Sequence, residues 1–203
     1  MSTAPLPRLT YEEYDLLEKR TGQKYEYHNG EVFAMSGASG IHVWIASNIS
    51  HAIGTPARSK GCWDFGSDLR VAIPNSGRYL HPDYSIVCGK LTPEQPGRQA
   101  FTNLKVIFEI LSPSTESYDR GAKFELYSRI PSLEEYVLIA QDQYAIDKFR
   151  RQENSSSWTL TRYRGADAIL ELESLEIAVP LAEIYHGVDF DLAERSPEPF
   201  PLS

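Results

Sequence analysis

The chain has 203 residues, 41% of them hydrophobic, with a formal net charge of −8; that is enough to bury a core and suits one domain with short extensions. The negative balance excludes a protein that grips phosphate backbones by bulk charge, so nucleic-acid contact would need locally clustered basic groups or cations bound in an acidic cleft. No apolar run reaches the length of a membrane span and Met1–Pro7 lacks the charged-then-apolar order of a signal peptide, so a cytoplasmic protein without a membrane partner is expected.

Thr10 and Glu13 form a capping box ahead of the amphipathic stretch Tyr11–Arg20, with Gly22 as its stop, and predict a first helix. Asn29-Gly30 between strand-like flanks predicts a hairpin over Lys24–Met35. A two-residue loop sets His28 opposite Glu31 and Glu26 opposite Phe33, so Glu26, His28 and Glu31 share one face. Ser39 caps a second helix over Ile41–Ile53, with apolar positions at Ile45, Ile49, Ala52 and Ile53. Asp68–Ile73 and Tyr79–Cys88, joined through Pro74–Gly77, read as a second hairpin, and Gly89–Arg98 as a loop. Lys105–Leu111 suits a central strand, being apolar except for one acid and the leading lysine.

Tyr118–Ile130 predicts a third helix, ended by Pro131, and Glu135–Ala140 a further strand. Ala145–Arg151 and Trp158–Arg164 form a late hairpin whose Lys148, Arg150, Arg162 and Arg164 offer a basic stripe or a plain solvated face. Leu170–Val179 adds β-like chain before Pro180 opens a helical turn. Residues 196–203 read as a flexible tail, leaving 1–195 as the one domain. From residue 41 the order is helix, three strands, helix, strand, an α/β (α+β) arrangement of a mixed sheet with helices on its faces. Cys62 and Cys88 have neither Cys-x-x-Cys nor Cys/His spacing, so free thiols in a reducing compartment are expected.

Pro82-Asp83 falls in one predicted strand and Glu109 in the next, so both carboxylates can reach one face and hold a hard cation through oxygen. An acid inside Val106-Ile-Phe-Glu-Ile-Leu111 is costly unless it is paired, hydrogen-bonded or metal-bound. Pro-Asp in one strand followed by an acid in the next resembles the PD-(D/E)XK nuclease superfamily, the restriction-endonuclease-like fold, whose core is helix, three strands, helix, strand. The lysine that ordinarily follows the second acid by two positions is replaced here by Leu111. This departure, with Phe108-Glu-Ile-Leu-Ser-Pro-Ser-Thr115 and Asp119-Arg-Gly-Ala-Lys123, resembles the Uma-type bacterial family, in which the lysine has moved to the next helix. Tyr25-Glu26, Gly30-Glu31, Met35-Ser-Gly-Ala38 and His42 extend the likeness from about Leu9 to about Asp189.

The resemblance implies Mg²⁺-dependent hydrolysis of DNA phosphodiesters, with Mn²⁺ able to substitute. Asp83 and Glu109 would hold the ion, with the Ile110 carbonyl as a further ligand, while Lys123 orients the attacking water. Glu26 is the candidate third acid, His42 a phosphate donor, and Tyr127, on the helix face of Lys123, a group that contacts substrate or positions the ammonium. A homodimer is expected because cutting two strands favours two sites.

Blander roles stand beside these. Asp83 could bind backbone amides, Glu109 and Lys123 could form a buried ion pair, and Lys123 could pair with Asp119 at i−4. Glu26 could pair with Lys24, His42 could cap its helix, Tyr127 could merely pack, and Asp68 could pair with Arg70. A catalytically inactive member of the fold that binds nucleic acid or protein, and an unrelated metal enzyme acting on smaller phosphoesters, are the competing functions.

Overall fold

The computed structural model describes residues 8–35, 37–153 and 155–192, so the expected tail, 196–203, lies outside the described residues. Helix α1 (Tyr11–Thr21) starts at the expected capping box: the Thr10 N–H donates to Glu13 Oε2 at 2.7 Å and the Glu13 N–H to Thr10 Oγ1 at 3.2 Å. Strands β1 (Tyr25–His28) and β2 (Glu31–Ala34) pair with Glu26 opposite Phe33 and His28 opposite Glu31. Asn29 and Gly30 both adopt positive φ, 51° and 100°, the conformation such a tight turn demands.

The second helix outruns its predicted end. Helix α2 (Gly40–Ile49), capped by Ser39, continues through a π-helical turn (Ser50–Gly54) into α3 (Thr55–Ser59). Pro56 lacks the N–H that would bond the Ala52 carbonyl, and the widened turn lies directly ahead of it, so the helix proceeds where a proline would otherwise end it.

Strands β3 (Cys62–Gly66), β4 (Val71–Ile73), β5 (Arg78–Leu80) and β6 (Tyr84–Cys88) correct the second predicted hairpin. β4 and β5 do pair, Val71 with Leu80 and Ile73 with Arg78, but they join β1 and β2 in a small sheet of order β2-β1-β5-β4. At His81-Pro82-Asp83 the chain leaves that sheet, and β6 belongs to a larger one; a single strand through Tyr79–Cys88 is ruled out.

With β9 (Ala145–Arg151) and β10 (Trp158–Arg164), the larger sheet has the order β10-β9-β8-β7-β6-β3, with β7 (Val106–Ile110) and β8 (Glu135–Ile139) parallel and the other pairs antiparallel. The crossover from β7 to β8 is helical: α4 (Glu116–Tyr118), a π turn (Asp119–Lys123) and α5 (Phe124–Tyr127). The core order of helix, three strands, helix, strand therefore holds with one change of membership. Its first strand is β3, unassigned in the sequence, in place of Asp68–Ile73.

Both faces of the larger sheet are covered. Val106, Phe108 and Ile110 pack with Ile45, Ile49 and Ile53 of the long helix, along with the β11 (Ile169–Leu172) and β12 (Ile177–Pro180) hairpin and α6 (Leu181–Ile184). Ile107 and Leu111 face Leu126 and Tyr127 of α5 instead. This alternation decides which way Glu109 points.

The expectation of unpaired cysteines fails in this framework. Cys62 and Cys88 are cross-strand partners of β3 and β6 and form a disulfide, so they give no argument for a reducing compartment. No described helix is long and apolar enough to cross a membrane. The disulfide spans a sequence separation of 26, for which chain entropy gives about 3.5 kcal/mol of stabilisation. Reduction should lower the melting temperature by roughly 7–14 °C at this chain length. Matched melts with and without a phosphine reductant, with thiols titrated in each, check this; equal melting temperatures with both thiols freed would show that the bond adds nothing.

The basic stripe of the late hairpin, β9 (Ala145–Arg151) and β10 (Trp158–Arg164), is also absent as drawn. Arg162 lies opposite Asp147 and Arg164 opposite Ala145, so these arginines sit on the other face from Lys148 and Arg150. Lys148 is buried, in contact with Glu173 and 3.4 Å from Glu135 Oε1.

Candidate active site

Asp83 occupies the bend just ahead of β6, at the crossing between the two sheets, and not the strand interior expected of it. Since Tyr84 pairs with Phe108, one further step sets Asp83 opposite Glu109, and the Asp83 N–H donates to Glu109 Oε2 at 3.4 Å. The Asp83 carboxylate is held at both oxygens. Oδ2 accepts from the Ile110 N–H at 2.8 Å, and Oδ1 lies 3.3 Å from His42 Nε2 in the first turn of α2.

Glu109 shares the strand face of Ile107 and Leu111, so it meets the crossover helix. Lys123 Nζ stands 2.9 Å from Glu109 Oε1, 3.3 Å from Asp119 Oδ1 and 3.8 Å from Glu26 Oε1. Glu26 arrives from β1 of the small sheet; its Oε2 accepts from Tyr118 Oη at 2.8 Å and lies 3.5 Å from His28 Nε2. Both sheets and the crossover helix thus converge on one buried ammonium. The cluster forms the floor of a cleft of about 1910 Å³, whose walls include Ser39, Phe33, Trp44, Ser112 and Gln141.

Four carboxylates, Glu26, Asp83, Glu109 and Asp119, surround the one lysine, and this imbalance governs their titration. Burial pushes Glu109 well above its usual range; Lys123 opposes the rise, and the charges of Asp83 and Asp119 add to it. Asp119 is also raised, by burial first, against the pull of Lys123. Burial would raise Asp83 too, but the His42 contact, Lys123 and the Ile110 N–H hold it below the usual carboxylate value. Glu26 is likewise held low against burial by His28, Lys123 and Tyr118. For Lys123 burial works against the charge, yet the surrounding acids outweigh it and keep the ammonium protonated.

Glu109 Oε1 and Asp119 Oδ1 are buried and make no hydrogen bond within the chain. Lys123 neutralises Glu109 Oε1 by proximity without the alignment of a donor. Acceptor-only oxygens in excess of donors are the donor set of a hard cation, so the residues present fit Mg²⁺ chemically. Among the described residues no three His, Cys, Asp or Glu side chains stand as a ready-made ligand cluster. A cation that keeps several waters needs fewer.

Asp83, Glu109, Lys123, Glu26 and His42, named from the sequence, are thus brought together. Tyr127 is not brought into the cleft. It is fully buried beneath the floor, packed 5.8 Å from the Tyr136 ring, and its hydroxyl reaches no partner within the chain; a substrate contact is corrected to a packing role. Asp68 pairs with Lys24 at 2.7 Å and Arg70 with Asp15 at 3.0 Å, so those two do not pair with each other. Sequence reasoning missed Tyr118, and treated Asp119 only as a rival explanation for Lys123. Spacing from Lys123 was the signal for Asp119; nothing in the sequence linked Tyr118 to Glu26, 92 positions away.

Known proteins resemble the chain over most of its length. The model of the Uma2 family, described as "Putative restriction endonuclease", matches residues 11–182. Uncharacterized protein slr1290 of Synechocystis sp. is 35% identical over 188 residues, covering 93% of this chain and 97% of the relative. Uncharacterized protein sll1609 of the same organism is 30% identical over 177 residues, covering 87% and 99%. A crystal structure from Anabaena variabilis, described as "a putative nuclease belonging to DUF820", superposes with a TM-score of 0.69 at 18% identity, over 91% of this chain and 99% of that one. That likeness establishes a shared mixed α/β fold.

Proposed function

The chain belongs to the Uma2 family, and from that premise we propose that it hydrolyses phosphodiester bonds of DNA in a metal-dependent reaction at the Asp83–Glu109–Lys123 cluster. The observation that carries the proposal is the placement of Lys123 Nζ, 2.9 Å from a fully buried Glu109 that stands opposite Asp83. A divalent cation, Mg²⁺ or Mn²⁺, held by Asp83, Glu109 and the Ile110 carbonyl, would supply neutralisation of developing charge and a more acidic water.

The chain's own residues divide the remaining work. Lys123, kept protonated by its acids, offers N–H donors to the water and to the anionic phosphorane-like charge. Glu26, held ionised by His28, Lys123 and Tyr118 and standing 3.8 Å from that ammonium, is the candidate base. His42 donates from Nε2 to Asp83 and lines the cleft beside it, where it would abut the bound phosphate. Asp119 balances the ammonium and keeps it within reach of Glu109.

Millimolar Mg²⁺ or Mn²⁺ should raise the melting temperature by mass action, by about 2.7 kcal/mol of stabilisation at a hundredfold excess over Kd, and should support cleavage of a DNA substrate. Asp83→Ala should lose both effects. A parent protein whose melting temperature ignores both ions, and which leaves DNA intact, would favour the non-catalytic binding role.

A further inference from the structure

Building on the phosphodiesterase reading of this cleft, we propose that its substrate is an unpaired stretch of DNA, gripped by base stacking on Phe33 and Trp44. The first ground is the charge around the cleft. Four basic side chains line it, Lys24, Arg120, Lys123 and Arg164, and each is already engaged. Lys24 pairs with Asp68 at 2.7 Å, Arg120 with Glu116 and with Asp147 at 2.7 Å, and Arg164 with Asp147 at 2.6 Å. Lys123 is enclosed by its acids. Asp142 and Asp189 add further negative charge to the walls. Duplex DNA is held chiefly through phosphates by unpaired cations, which this cleft does not offer.

The second ground is what the cleft offers instead. Phe33 and Trp44 line it, each 49% exposed, so each offers part of its ring to the cleft. Both are braced from behind. The Phe33 ring centroid lies 5.1 Å from that of His28, which in turn contacts Glu26 at 3.5 Å, so the brace leads directly to the cluster. Trp44 rests on Gly187, where φ is +71° and a Cβ would stand 2.9 Å from Trp44 Cζ2. Only glycine allows that approach without displacing the ring.

A ring supported on one side and open to the cleft on the other is a stacking platform for a base, and such stacking tolerates any sequence. Paired bases bury their faces against one another inside the duplex; unpaired bases present them. A single strand also needs only one cut, so the homodimer expected for duplex cleavage is not required by this substrate.

Fluorescence anisotropy of the full chain, in EDTA, with an end-labelled mixed-sequence DNA strand and with its duplex tests the proposal. The strand should bind more tightly than the duplex, with a shallow dependence on salt. Phe33→Ala and Trp44→Ala should each weaken strand binding about tenfold or more, and Phe33→Tyr and Trp44→Phe should keep most of it. Both rings are half exposed, so the variants should fold, which circular dichroism verifies. Tighter duplex binding, or alanine variants that bind the strand as the parent does, overturns the stacking proposal and leaves the phosphodiesterase reading standing. A parent that binds neither DNA form, and cuts neither with Mg²⁺ or Mn²⁺ added, overturns both.

Discussion

Glu109→Gln is expected to melt at a higher temperature than the parent in metal-free buffer at neutral pH, while losing a factor of roughly 10²–10³ or more in hydrolysis. The stability half follows from the direction in which burial moves this acid. Its folded pKa lies above the unfolded one, so between the two values the folded chain binds the extra proton. Stability therefore falls as pH rises from the unfolded value, about 4.3, through the folded pKa, and the full cost is present above both. Glutamine cannot ionise and escapes that cost. Lys123 does not become an unpaired ammonium in the variant, because Asp119 and Glu26 remain within 4 Å.

The expected gain is of order 1 kcal/mol, or roughly 2–4 °C for a chain of this length. It should vanish below about pH 4, where the parent's carboxyl is protonated in both states. Adding Mg²⁺ should reverse the order, since the parent alone retains the full carboxylate set. Melts of both proteins from pH 4 to 8 in EDTA make the comparison. A variant less stable than the parent at pH 7 would mean that Lys123 stabilises Glu109 as an anion by more than burial costs it.

The acid that sequence reasoning placed best is the one whose surroundings are most hostile to it. An ionisable side chain within Val106–Ile110 has no inexpensive structural role, so its importance was legible from composition alone. Glu26 was legible for a different reason: the Asn29-Gly30 turn fixed the register of β1 and β2, and with it the face that Glu26 shares with His28. Asp83 does reach the cleft, but from a bend and not from a strand interior. The chain looks continuously strand-like from Tyr79 to Cys88, and only tertiary pairing, β5 with β1 and β6 with β7, divides it at Pro82. The same cause hid β3, an edge strand of five residues whose alternation of Cys62, Trp63, Asp64 and Phe65 is too short to stand out. Tyr127 failed because helical spacing reports that two side chains share a face, and not whether that face is open; here it is closed by Tyr136 and Leu138.

Lys123→Ala is expected to abolish most hydrolysis while keeping metal-induced stabilisation, whereas Asp83→Ala loses both. Removing the ammonium leaves Glu109 and Asp119 buried and uncompensated, and losing one partner of a buried pair costs roughly 3–5 kcal/mol. Both acids are already raised, so they relieve part of that cost by taking up protons, and a divalent cation relieves more. The variant should therefore be less stable than the parent in EDTA and gain more from Mn²⁺. Lys123→Met, nearer in volume, separates loss of charge from loss of packing. The decisive variant adds Leu111→Lys to Lys123→Ala. Residue 111 is on the strand face of Glu109, lines the cleft and packs against α5, so a lysine there can return an ammonium to the same acids from the strand. Partial recovery of single-turnover cleavage in the double variant, with Leu111→Lys alone giving no gain, is the expected outcome. If Lys123→Ala cuts DNA as fast as the parent, the ammonium has no part in the chemistry and Lys123 is the counter-ion of a structural pair.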